Sequence, residues 1–252
     1  VEDILFTDAQ CDISFDSHKD NTWVIDHIDA VLGLGKVTGF LSYVTDGTKA
    51  LKTELVAHGV NLSDVIPKPM KDTTHRSLGI LNGRLKIEQI GDVKSRSGAF
   101  ELEVSDARWG KLPMGVNLFK LLHLKRPDDS LFNTASIGGV ILGDDYHMQN
   151  IIIIGDVIQL VGGGVVKMPS GTIELGFGVF TPEHPLTKIP LIKQVSGWIQ
   201  KVSPVQQVRG TGNIYKINEI AFKSVVIEVL EKWLEGAGSM IKKPIKIYRS
   251  KN

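Results

Sequence analysis

Alternation with a period of two governs this chain. In Phe100-Glu101-Leu102-Glu103-Val104 every second side chain is apolar and those between are acidic. An extended backbone therefore lays one oily and one charged surface on opposite sides. Leu85 and Ile87 alternate with Arg84, Lys86 and Glu88 in the same way. Over 172–179, Ile173, Leu175, Phe177 and Val179 share one side, with Glu174, Gly176 and Gly178 on the other. Trp23 with Ile25, then 37–43 and 51–57, follow the same rule. Gly33/Gly35, Gly138-Gly139 and Gly162-Gly163-Gly164 are read as turns and bulges between strands. Short connections of this kind predict antiparallel hairpins.

Helical spacing is confined to three stretches. Residues 114–124 follow Pro113 and space Val116, Phe119 and Leu122 at three. Residues 190–202 carry Ile192, Val195, Ile199 and Val202. Residues 219–235 place Phe222, Val225, Val226, Val229, Leu230 and Trp233 on one stripe, and Gly236 supplies a stop. This last segment is expected to be an amphipathic helix that caps one end of the sheet. Gly-Val-Asn-Leu occurs at 59–62 and again at 115–118, each time between strand character and a short apolar turn, which suggests a repeated unit.

Composition removes several classes of function. A net charge of +1 over 252 residues lacks the basic footprint of a nucleic-acid binder. It also gives no broad attraction to an anionic membrane. Cys11 is the single cysteine, so no internal disulfide forms. The longest purely apolar run, 151–154, falls far short of the roughly 20 residues of a spanning helix. The chain begins at Val1 with no secretory signal pattern, and is expected to be a piece of something longer with a membrane anchor upstream.

Catalytic patterns are missing as well. Gly33-Leu34-Gly35 has Thr38 where a dinucleotide fingerprint needs glycine, and Gly162-Gly163-Gly164 lacks a following Lys-Ser/Thr. The histidines form no His-x-x-x-His pair, and Asp144-Asp145-Tyr146-His147 reads as a polar hairpin tip. There is no Gly-x-Ser-x-Gly elbow, and Pro169-Ser170-Gly171 fits a tight turn before a strand. A protein that is not an enzyme, with neither cofactor nor metal, is expected. Residues 241–252 form a basic tail.

The order of the pieces resembles the C-terminal region of the AsmA family, whose relatives include TamB and other β-groove envelope proteins. The resemblance rests on GVNLSDVI (59–66), LGILNGRLKIEQIGD (78–92), and GAFELEVSDARWGKLPMGVNLFKLLHL (98–124). It continues through the hairpin run 131–179, LTKIPLIKQVSGWI (186–199) and VRGTGNIYKINEIAF (208–222). About two-thirds of the chain is covered. The usual proline of the returning strand is missing from 213–217, and Asp106-Ala107-Arg108-Trp109 replaces a glycine-rich approach to Leu112-Pro113.

The resemblance implies a mainly β fold: a long, curved, antiparallel sheet forming an open β-groove, with few short helices. It would occupy 1–240, as one domain or as two similar units at about 1–66 and 67–240. It further implies a periplasmic envelope protein anchored in the inner membrane, serving lipid transport or outer-membrane biogenesis, with a phospholipid or other acyl lipid as partner. The alternative is an assembly factor that acts through contacts with envelope proteins and carries no lipid.

Physical chemistry favours a groove for such a ligand. Two acyl tails expose roughly 30 methylenes at about 0.8 kcal/mol each, on the order of 25 kcal/mol in all. A ten-residue strand spans about 33 Å, comparable to an extended tail. Ile137, Ile152, Ile154, Ile158, Leu160, Ile173, Leu175 and Phe177 are the residues assigned to that surface; an ordinary closed core would use them equally well.

Overall fold

The computed structural model describes residues 6–17, 21–47, 49–62, 79–106, 133–156, 158–181 and 206–225. They build a single sheet of twelve antiparallel strands, in which every strand pairs with its neighbours in sequence and order in space equals order along the chain. The strands are β1 (Phe6–Asp16), β2 (Thr22–Leu32), β3 (Gly35–Val44), β4 (Ala50–Asn61), β5 (Ile80–Ile90) and β6 (Ser97–Ser105). They continue with β7 (Thr134–Leu142), β8 (Asp145–Ile154), β9 (Gln159–Lys167), β10 (Thr172–Phe180), β11 (Gln206–Asn213) and β12 (Ala221–Val225). The described residues adopt the mainly β, antiparallel fold that the alternation predicts, in the open form that the resemblance implies.

A meander of this kind has two unequal ends. Connections from odd to even strands are tight; Gly143-Asp144 alone joins β7 to β8, with Gly143 at φ 61°. That left-handed conformation costs glycine nothing and other residues much more. The chain leaves and rejoins the sheet at the opposite end between β4 and β5, between β6 and β7, and between β10 and β11, and β12 also finishes there. The predicted helices 114–124 and 190–202 fall outside the described residues, as do the second Gly-Val-Asn-Leu and the basic tail. The proposed divide near residue 66 does not interrupt pairing, since β4 joins β5 from Ala50↔Ile90 to Asn61↔Ile80.

Residues 219–235 do not begin as a helix. Ala221–Val225 is strand β12, antiparallel to β11, and the continuation from 226 lies outside the described residues. The reason is tertiary: Phe222 stands opposite Gly210, whose bare Cα leaves space that the ring fills, and this pairing overrides the helical spacing. Gly162-Gly163-Gly164 is likewise no corner. It forms the middle of β9, because Phe177 and Leu175 of β10 lie across Gly162 and Gly164. A Cβ on Gly162 would stand 1.9 Å from the Gly176 carbonyl oxygen and 2.8 Å from Phe177 Cδ1.

Register defines two faces, because antiparallel partners point the same way. One is apolar across the whole sheet: Phe15↔Trp23↔Tyr43↔Leu51 at the start, Leu85↔Phe100 in the middle, and Leu160↔Val179 and Phe177↔Val208 towards the end. The reverse is charged on the first six strands, with Asp12, Lys52, Glu54, Arg84 and Glu101 in cross-strand register. Irregularities at 7–12, 25–28, 57–60 and 148–151 let the strands bend without losing that division.

The core belongs to the second half. Ile151, Ile153, Leu160, Leu175, Phe177 and Val208 are buried together on the apolar side, with Ile137, Met148 and Phe222 packed against them. There the reverse side is buried too, through Val161, Phe180, Gln159 and Gln207. The near-continuous apolar run of β9 is the sequence correlate of burial on both faces. Ion pairs contribute little by comparison. Arg209 Nη2 meets Glu174 Oε2 at 3.1 Å with both side chains about half exposed. Glu174→Gln should lower stability by less than about 1 kcal/mol in urea unfolding.

Candidate functional site

The apolar face is covered at one end and open at the other. In β9–β11 its side chains are buried, Phe177 being 5% exposed. In β1–β3 and β6 the same face leaves Ile13 63%, Phe15 47%, Trp23 44%, Tyr43 40% and Leu102 38% exposed. Register makes the face itself continuous, from Ile13↔Ile25↔Leu41 through Leu55↔Leu85↔Phe100 to Leu102↔Ile137, with half-buried side chains linking the exposed first three strands to Leu102. Exposed apolar surface gathered on one face is the feature of this sheet that sets it apart from an ordinary solvated one.

Glycines shape this surface locally. At Gly83 the Leu102 side chain lies across the neighbouring strand, and Gly39 and Gly139 leave the face flat where a Cβ would strike a cross-strand carbonyl. Thr53 is a polar exception, buried on this face with its hydroxyl donating 2.8 Å to the Phe40 carbonyl. With that hydroxyl satisfied, it places no unpaired donor on the oily surface.

The residues assigned from sequence do not all lie together. Ile137, Leu160, Ile173, Leu175 and Phe177 share the apolar face by register. Ile158, just before β9, belongs to the same buried cluster. Ile152 pairs with Val161 and Ile154 with Gln159, which puts both on the reverse side. Leu160, Ile173, Leu175 and Phe177 are buried, so in this structure they are core, and Ile137 lies where the core meets the open face. The open residues Ile13, Phe15, Trp23, Tyr43 and Leu102 escaped assignment. Their signal was present in the alternation of β2, β3 and β6, but exposure is a property of the assembled sheet.

The reverse face holds a depression of about 280 Å³ over β4–β8, lined by Asn82, Arg84, Glu101, Glu103, Asn150 and Ile152 among others. Arg84 Nε lies 3.4 Å from Glu54 Oε1 at its border. Among the described residues no group of histidine, cysteine and carboxylates could hold a metal ion. His27, at φ 47° inside β2, places Nδ1 3.0 Å from Asp12 Oδ2, with both side chains largely exposed. The exposed pair joins the interiors of β1 and β2. Among the described residues no helix is long and apolar enough to cross a membrane.

The fold and face together define a class: an open meander sheet with one continuous apolar surface, closed over its second half. Comparison of the chain with family models, with curated proteins and with solved structures gave no match.

Proposed function

We propose that this chain is a non-enzymatic envelope protein of the AsmA-like kind, which holds lipid acyl chains against the open apolar face of its sheet. The observation that carries this reading is the exposure of Ile13, Phe15, Trp23, Tyr43 and Leu102 along one unbroken face whose reverse is charged. A face of this kind shields methylenes from water without closing a pore, and each methylene shielded is worth about 0.8 kcal/mol. On this reading the protein works in the periplasm, attached to the inner membrane by a segment outside this chain. It serves lipid transport or outer-membrane biogenesis, with a phospholipid or fatty acid as ligand and no cofactor.

Native mass spectrometry and solvent extraction of the purified chain test the proposal. Phospholipid or fatty acid is expected to copurify, and a delipidated sample should take up a fluorescent fatty acid at micromolar concentration. A lipid-free preparation that also refuses the probe overturns it. That result would favour the assembly-factor reading, for which the outer edge of β1, unpaired among the described residues, offers backbone groups to a partner strand.

A further inference from the structure

The open face is not uniformly aliphatic. At the hairpin end of the first three strands it becomes aromatic, with Phe15, Trp23 and Tyr43 side by side in register. The Phe15 and Trp23 rings lie 4.6 Å apart at 38°, and all three side chains are exposed. Strand spacing of about 4.8 Å makes this an aromatic lip about 10 Å wide. Phenylalanine alone would be indifferent to what it meets. Tryptophan and tyrosine carry a polar tip on an apolar ring, the combination enriched at the boundary between lipid headgroups and tails.

We propose that this lip docks the protein onto a zwitterionic bilayer surface and is where an acyl chain passes from the bilayer onto the apolar face. Two features favour a lipid surface over a protein partner. The lip runs without interruption into the aliphatic face, through Tyr43↔Leu51 and Ile25↔Leu41, so a tail leaving the bilayer meets apolar side chains at every step. The ends of the strands beside it carry both signs of charge, with Asp16 closing β1 and Asp46 and Lys49 between β3 and β4. That pairing matches a headgroup carrying an ammonium and a phosphate, and gives no net pull towards anionic lipid. The acyl transfer half of the proposal rests on the lipid-holding reading above; the docking half stands without it.

The test uses the full chain with phosphatidylcholine vesicles, separated by sedimentation. Phe15→Ser with Trp23→Ser and Tyr43→Ser should lower the bound fraction at fixed lipid by at least tenfold in partition coefficient. Added salt should change little. Ile90→Ser, at a still more exposed apolar residue on the reverse side, should leave partitioning unchanged. Trp23→Phe keeps an aromatic ring and the fold, and should remove the part of the tryptophan fluorescence that brominated phosphatidylcholine quenches. Docking is overturned by undiminished partitioning of the triple variant, by quenching that survives Trp23→Phe, or by binding that appears only with anionic lipid. A parent chain that ignores vesicles but self-associates through the lip also overturns it, in favour of a second copy as the occupant. Partitioning that falls as expected while neither chain takes up fatty acid supports docking and removes the lipid-holding reading instead.

Discussion

Phe177→Ala should cost about 3–5 kcal/mol. Phe177 is buried on the apolar face of β10, opposite Val208 on one side and Gly162 on the other. Its ring occupies the space that Gly162 leaves empty, so truncation opens a void bounded by backbone, and backbone in a paired sheet cannot collapse into it. Gly162→Ala does not restore the packing, because its Cβ would collide with the Gly176 carbonyl oxygen before reaching the void. The double variant should therefore be less stable than Phe177→Ala alone. Phe15→Ala, on the exposed part of the same face, should shift stability by less than about 1 kcal/mol. Urea unfolding with unchanged slope measures all three. Equal losses for Phe177 and Phe15 would mean that the face is covered uniformly.

Strand identity was legible wherever one face is buried less than the other. Phe100–Val104 lies within β6 and Arg84–Glu88 within β5, because acidic or basic residues alternate there with apolar ones; Ile173–Val179 lies within β10, where Glu174 and two glycines alternate with large apolar residues. The signal weakens for two physical reasons. Bulges break the period, as in β1, where shifts between Thr7 and Gln10 and between Gln10 and Asp12 move side chains off their alternating places. Burial on both faces removes the contrast, as in 151–154, where four isoleucines give no clue to which pair faces which side. Only pairing with β9 separates Ile151 and Ile153 from Ile152 and Ile154.

The site was harder to see than the fold for a related reason. Leu175, Phe177 and Leu160 are the more apolar choice by sequence, and the core claims them because it forms where apolar density is highest. What remains open is the less densely apolar first half, where Asp, Lys and Thr neighbours keep the sheet in contact with water on its reverse. Helical spacing misled over the described residues 221–225 for the opposite reason: the five residues of β12 suit either periodicity, and the empty space above Gly210 decides.

Leu102→Asp should reduce fatty-acid uptake at least a hundredfold while leaving the fold intact. Leu102 is on the apolar face of β6, more than a third exposed, draped over Gly83 and next to Ile137. In the unliganded protein an aspartate there keeps its water, so the stability cost should stay near 1 kcal/mol. In the complex an acyl chain would strip that water from an ionised carboxylate with no partner, which is a severe penalty. A hundredfold loss corresponds to about 2.7 kcal/mol, well within that penalty. Two controls separate charge from position. Glu101→Gln, one residue away on the reverse face, should leave uptake unchanged. Leu175→Asp puts the same charge on the same face where it is buried, and should unfold the chain before binding can be measured. Ligand uptake followed by fluorescence, beside thermal melts of each variant, distinguishes these outcomes. If Leu102→Asp binds as the parent does, acyl chains do not lie across β6; if it melts as early as Leu175→Asp, position 102 is core and the face is not open there.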